Sequence, residues 1–156
     1  TSLLSGTDRG AWREGGTVKY MILTYASQRD YDGMSGKAAA GETAWSAADF
    51  AAMGAFMESF STELTDSGEL VETRGLVDPV HSRRIRLQEG VPVVTDGPYA
   101  ETQEVLAGYW IVECESFDRA TEIAARLTQT PGPRHISDRE VIDVRPIADS
   151  RAELDG

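Results

Sequence analysis

The densest run of reactive side chains lies at Thr95-Asp96-Gly97-Pro98-Tyr99-Ala100-Glu101-Thr102-Gln103-Glu104, just before an apolar stretch. Polar-headed groups crowded where a loop enters a strand are a pattern of binding loops carried on rigid scaffolds. In an acid–base reading, Asp96 or Glu101 takes a proton from a small acidic substrate while Tyr99 donates to the charge that develops. Thr95, Gly97, Pro98, Thr102 and Glu104 would line the ligand beside them. A carboxylate working as a base near neutrality needs its pKa raised by burial, and no sequence feature shows that burial. The structural reading is simpler. Asp can bond backbone N–H groups ahead of it, Gly adopts angles closed to other residues and Pro fixes φ, so Asp96-Gly97-Pro98 also stands as a tight turn with no further role.

Four other positions bear on a site. Arg74 could present a cation to a carboxylate ligand, because a guanidinium grips planar oxyanions in bidentate fashion; a surface salt bridge is its plainer use. Tyr25, near the end of the first apolar segment, joins the ligand-contact set, as does His81. His81 precedes Ser82-Arg83-Arg84 and His135 follows Pro133-Arg134, so both read as exposed turn or loop residues with no partner in the sequence. Asp96, Glu101 and Glu104, with His81, would be oxygen and nitrogen ligands in a metal reading. Their spacing matches no metal motif, H-x-x-x-H and C-x-x-C pairs are missing, and no metal is expected. The chain also lacks G-x-G-x-x-G and G-x-x-x-x-G-K-[ST], and no cofactor is expected. Cys114 sits in the apolar stretch Tyr109-Trp110-Ile111-Val112-Glu113-Cys114 and reads as a buried thiol rather than a nucleophile.

Composition bounds the partners. Fifteen Lys and Arg against 26 Asp and Glu give a formal charge of -11, which repels phosphate backbones and anionic membrane surfaces. Nucleic acid and membrane are not expected partners, and Arg83, Arg84 and Arg86 read as a solvated strand edge. No apolar run approaches the ~20 residues of a membrane-spanning helix. The opening Thr1-Ser2-Leu3-Leu4-Ser5-Gly6 shows no charged-then-apolar leader, so the cytoplasm is the expected compartment. At 156 residues, one domain burying roughly 70% of its unfolded-state surface is expected.

These groups need elements to hold them. Residues 1–17 read as a flexible extension, 18–148 as the folded domain and 149–156 as a tail. Val18–Ala26 is β-branched and aromatic, a strand. Residues 27–45, with Asp32, Gly33, Gly36 and Gly41, read as one long loop able to cover a pocket through Tyr31, Met34 or Trp45. Ser46 and Asp49 cap a helix whose stripe Phe50, Met53, Met57, Phe60, Leu64 advances by three or four, and Gly68 stops it. Strands follow at Leu70–Val77, His81–Leu87 and Val91–Thr95, turned by Asp78-Pro79 and Glu89-Gly90 as a meander or hairpin. Gly108–Cys114 is the next strand. Ser116 caps a helix with Phe117, Ala120, Ile123 or Ala124, and Leu127 inward, ended by Pro131-Gly132-Pro133. Val141–Ile147 closes the domain, with Pro146 suited to an edge.

This order predicts an α+β fold, a ferredoxin-like βαββαβ sandwich. Its sheet has helices on one face, so the other face, carrying Tyr20, Ile22 and Thr24 or else Tyr109, Ile111 and Val94, must be covered, and pairing two copies would cover it.

The segments Val94–Glu104 and Leu106–Glu113 resemble the namesake stretch of the DGPF branch of the YCII-related family. Val18–Leu23, Ser67-Gly68-Glu69-Leu70, Gly75-Leu76 and Val144-Arg145-Pro146-Ile147 also resemble the family's pattern. Tyr99 stands where the branch name has Phe, keeping the ring and adding a hydroxyl. The resemblance implies a homodimer forming a dimeric α+β barrel, a cleft in each subunit beside the DGPF loop, and bacterial relatives often encoded beside alternative sigma factors. Some distant YCII-related proteins use a His and Asp pair on small molecules, but the first strand here holds no His, so that mechanism is not carried over. Two functions are therefore expected in competition. In one, a small organic molecule binds in a cleft beside the Asp96–Glu104 loop, where it can be transformed without cofactor. In the other, the chain is a non-catalytic dimeric binding or regulatory module linked to sigma-factor stress signalling.

Overall fold

The computed structural model describes residues 16–133 and 140–148. The expected tail, His135 and all of the expected extension but Gly16 and Thr17 lie outside the described residues. The elements are β1 (Val18–Ala26), α1 (Gln28–Met34), α2 (Ala47–Asp66), β2 (Leu70–Gly75), β3 (Arg83–Gln88), β4 (Val91–Asp96), β5 (Val105–Cys114), α3 (Phe117–Leu127) and β6 (Ile142–Pro146), with a 3-10 turn at Pro79–His81.

Four strands form an antiparallel sheet in the order β2-β5-β1-β6, the ferredoxin-like arrangement, with β6 and its Pro146 on an edge. β3 and β4 form a separate two-stranded sheet inserted between β2 and β5. Of the expected meander or hairpin the structure shows the hairpin, and Val94 belongs to it and does not share a face with Tyr109 and Ile111. The hairpin turn is the expected one, with Glu89 at φ 49° and Gly90 at φ 79°. Two successive positive φ values match the twist of antiparallel strands, which is why Gly serves there.

Register decides which side chains enter the core, because neighbours along a strand point to opposite faces. Val18, Tyr20 and Ile22 of β1 and Trp110, Val112 and Cys114 of β5 face the helices and are buried. Phe60 and Leu64 of α2, and Ala120, Ile123, Ala124 and Leu127 of α3, close over them. Phe60 meets Trp110 edge-on at 5.1 Å, a favoured aromatic geometry, and Phe117 at 39% exposure still leans on Tyr20 at 5.3 Å. Each large side chain fully buried here contributes about 1.5–3 kcal/mol. The α2 stripe reaches the core only at its C-terminal half: Phe50 is 39% exposed and stacks on Trp45 instead.

Among the described residues, no helix covers the opposite sheet face. Met21 and Leu23 lie across from Ile111 and Tyr109 there, half-buried, so of the two expected sets Tyr109 and Ile111 are on it, while Tyr20 and Ile22 are in the core.

The long loop expected at 27–45 is corrected in its first part. Ser27 accepts from the Asp30 N–H and Asp30 returns a bond to the Ser27 N–H, a capping box that starts α1. Asp32 and Gly33, which read as breakers, sit inside this seven-residue helix; tertiary anchoring overrides their weak propensity, since Arg29 N–H donates to the Glu101 carbonyl at 2.9 Å and Trp45 N–H to the Gly33 carbonyl at 3.1 Å.

Two joints hold the layers. Arg119 of α3 grips Glu69 at the start of β2 in bidentate fashion, Nε to Oε2 at 2.8 Å and Nη2 to Oε1 at 2.9 Å, and this holds the Glu69 carboxyl below its ordinary range. Gly108 lets β2 approach β5: a Cβ there would stand 2.8 Å from the Arg74 carbonyl oxygen.

Gly108→Ala should therefore lower stability by about 1–3 kcal/mol, read as a lower Tm. Glu69→Gln should cost about 1 kcal/mol at neutral pH. Because folding depresses the Glu69 pKa, its contribution is complete above the unfolded carboxylate range and disappears as pH falls through the folded value. The variant and the parent should converge in acid, and a difference that persists below that range would contradict the joint.

Candidate functional site

Between β2 and β3 the chain runs from Leu76 to Ser82 without regular strand pairing, and α1 clasps it from the side. Gln28 does most of this. Its Nε2 donates to Asp78 Oδ2 and Asp32 Oδ1, both at 2.9 Å, and its Oε1 accepts the Val80 N–H at 2.8 Å. Tyr31 donates its hydroxyl to the Leu76 carbonyl at 2.8 Å, and Leu76 N–H donates to the Ala107 carbonyl at 2.8 Å.

The clasp holds a hydrogen-bonded pair. His81 Nδ1 lies 2.6 Å from Asp78 Oδ1, three residues apart across the 3-10 turn. Hydrogen bonds from the Gln28 amide first, and His81 second, keep the Asp78 carboxyl below its ordinary range. An ionised carboxylate only accepts, so Nδ1 carries the proton, and in the neutral ring the lone pair is on Nε2. The His81 side chain is 68% exposed, so Nε2 is open to solvent and to a ligand.

A cleft of about 280 Å³ opens beside this turn, lined by Leu76, Val77, Pro79, Ser82, Tyr99, Val105 and Leu106. Its walls are mostly apolar, with the Ser82 and Tyr99 hydroxyls as polar points. The 96–99 loop forms its far side. Gly97, at φ 54°, donates its N–H to the Ser82 carbonyl at 2.8 Å. That positive φ is what disfavours a side chain there.

The residues singled out in the sequence separate into groups. Tyr99 lines this cleft, Gly97 and Pro98 lead into it with the Gly97 N–H on the carbonyl of the wall residue Ser82, and His81 precedes Ser82 on the turn without lining the wall. Asp96 ends β4, where its Oδ1 accepts from Arg83 Nε at 2.8 Å and its side chain is 75% exposed. Thr95 is exposed opposite Arg84, whose guanidinium lies over the Tyr99 ring at 5.1 Å. Glu101 and Thr102 are exposed, and the Glu101 carbonyl receives α1 through Arg29. Arg74 is exposed on β2, opposite Tyr109.

Tyr25 and Glu104 meet elsewhere. They line a smaller cavity of about 100 Å³ with Ala26, Asp30, Met34, Trp45, Glu140 and Val141. Burial pushes the Glu140 carboxyl upward. Tyr25 donates its hydroxyl to Asp143 Oδ2 at 2.6 Å, and that bond, then burial, raises its pKa. Among the described residues, no three His, Cys, Asp or Glu side chains converge to hold a metal ion. Cys114 is buried and desolvation pushes its thiol up to about 11, which keeps it protonated and unreactive at neutral pH.

Sequence reasoning missed Gln28, Asp78 and Ser82. The i, i+3 spacing of Asp78 and His81 about Pro79 was the available signal for the pair. Gln28 is 50 residues from Asp78, and nothing local marks it.

The model of the YCII-related domain matches residues 18–145, and the chain belongs to that family. It is similar to an uncharacterized protein of Rhizobium meliloti (strain 1021), 29% identical over 86 residues that cover 55% of this chain and 69% of the relative. No helix of the described residues is long and apolar enough to cross a membrane.

Gln28→Ala should release the Asp78–His81 turn without unfolding the domain. Amide exchange at Val80 should accelerate by about tenfold or more while the global Tm changes little, because the lost bonds are local. Unchanged exchange at Val80 would show that the clasp does not hold the turn.

Proposed function

We propose that the chain is a cofactor-free acid–base protein of the cytoplasm, working as a homodimer and binding a small organic molecule in the cleft between the Leu76–Ser82 turn and the Asp96–Glu104 loop. The observation that carries this reading is the Asp78–His81 pair, oriented by Gln28, on the turn that supplies Pro79 and Ser82 to the cleft wall.

An imidazole whose Nδ1–H is committed to a fixed carboxylate presents a lone pair at Nε2, the atom that would take the substrate's proton. Its partner stabilises the imidazolium that forms. Tyr99 serves as donor to the charge left on the substrate, the role assigned to it from the sequence. Asp96 serves this site through Arg83, by fixing the loop; Glu101 serves it by seating α1, which carries Gln28. The mostly apolar walls suit a ligand with an apolar body and one acidic proton, such as a phenol or a weak carbon acid.

The Asp96–Glu104 stretch supports placing the chain in the DGPF branch. The homodimer is supported by the helix-free sheet face, where Met21, Leu23, Tyr109 and Ile111 would pack across a two-fold axis to complete the α+β barrel. A second reading, the non-catalytic regulatory module linked to sigma-factor stress signalling, is favoured by the exposed apolar side chains Ile85, Leu87 and Val94.

A thermal-shift screen against small carboxylic acids, phenols, quinones and divalent metal ions tests these readings, because a ligand that binds only the folded state raises its apparent stability. Organic hits should be lost in Tyr99→Ala. In His81→Asn binding should persist, while base-catalysed exchange of the ligand's acidic hydrogen with deuterium should fall by about 10²-fold or more. Silence across organic ligands would favour the regulatory module, and exchange unaffected by His81→Asn would remove the imidazole from the mechanism.

A further inference from the structure

In a chain with 26 acidic residues against 15 Lys and Arg, carboxylates are plentiful partners for every cation. Arg29, Arg119 and Arg126 each pair with a glutamate, and Arg83 pairs with Asp96 at 2.8 Å. Arg84 differs: among the described residues, no carboxylate lies within ion-pair distance of it. Its guanidinium lies instead over the Tyr99 ring, 5.1 Å from the centroid. Tyr99 is part of the cleft wall, so this unneutralised cation stands at the edge of the cleft without lining it.

The contact sets up the guanidinium for a ligand. A cation over a ring is held by its charge, which leaves the planar fork of N–H donors to grip a planar oxyanion. The strand that carries Arg84 is tied to the Tyr99 loop on both sides, by Arg83 on Asp96 and by the Gly97 N–H on the Ser82 carbonyl at 2.8 Å. None of the residues lining the cleft is charged, so a charge on the ligand has to be met at the edge.

The other cations do not compete for that place. Arg83 is neutralised by Asp96. Arg86 is two residues farther along β3, which at the rise of a strand is about 7 Å farther from the hairpin root. Arg74, expected from the sequence to meet a carboxylate, is exposed on β2 with its Nη1 on the Thr73 carbonyl at 2.9 Å, and it does not line the cleft. The formal charge of -11 opposes an anion at long range, but salt screens that field over about 8 Å, so the nearest cation decides.

We infer that Arg84 selects the ligand by charge: the cleft takes an organic anion, a carboxylate on an apolar body, with the carboxylate on the Arg84 guanidinium and the body against Leu76, Val77, Val105 and Leu106. This rests on the cleft reading and names the substrate class within it.

Calorimetric titration with para-hydroxybenzoate and with its neutral amide, para-hydroxybenzamide, tests the inference. The two share shape and phenol and differ in charge. The parent should bind the carboxylate about tenfold tighter or more. Arg84→Gln should remove that preference by weakening the carboxylate alone, with the amide's Kd unchanged as proof that the cleft is intact. Arg86→Gln should keep the preference, and Tyr99→Ala should lose both ligands. Equal affinities in the parent, a preference that survives Arg84→Gln, or loss of both ligands in Arg84→Gln would overturn charge selection by Arg84 and leave the cleft standing. Binding of neither ligand to the parent, or of both to Tyr99→Ala undiminished, overturns the cleft reading and the inference together.

Discussion

The antiparallel pairing of β1 with β5 is the constraint on which the rest of the molecule depends. It sets Val18, Tyr20 and Ile22 beside Val112, Trp110 and Cys114 on one face, and α2 and α3 are held against the sheet by what that face offers to bury. A slip of one residue would turn this set outward and put Lys19, Met21 and Glu113 under the helices. The same pairing also delivers the site. β5 begins directly after the Asp96–Glu104 loop and β1 ends directly before α1, so the central pair brings the loop and the clasp to one end of the sheet. A register shift between Thr24 and Tyr25 falls at that end, after which Tyr25 and Ala26 pair with Leu106 and Val105.

That end of the sheet shows how a short, weak helix becomes a positioning device. The seven residues of α1 have too little intrinsic helicity to persist alone. The Ser27–Asp30 capping box starts the helix, and contacts to Glu101, Trp45 and Leu76 hold it. In return its Gln28 spends both ends of its amide on the 78–80 turn, fixing Asp78 and so the ring of His81. A histidine in a solvent-exposed turn would ordinarily have no defined orientation. Here one carboxylate, itself oriented by an amide, gives it one.

The elements divide into those legible locally and those not. Both long helices announced themselves by caps, Ser46 with Asp49 and Ser116, and by apolar spacing. The strands β1 and β5 were legible from β-branched and aromatic content, and the Glu89-Gly90 turn from its glycine. What was obscured had its cause elsewhere in the chain. The helix at Gln28–Met34 looked like loop because Asp32 and Gly33 are poor helix formers and the bonds that compensate come from Glu101, Leu76 and Trp45. Meander and hairpin stayed open for Arg83–Asp96 because nothing in that segment says which strand lies beside it.

By itself the sequence determined the α+β class, the ferredoxin-like order of elements and the acidic charge, because composition, periodicity and turn chemistry act over a few residues and are written in adjacent letters. Only the tertiary structure decided that Asp96 is tied to Arg83, that His81 is paired with Asp78 through a residue 50 positions away, that Tyr25 and Glu104 share a cavity apart from Tyr99, and that β3 and β4 stand out from the main sheet. The reason is physical. A hydrogen bond or a cleft depends on distances in space, and chain closure can bring together any residues whose burial elsewhere compensates the entropy of ordering them.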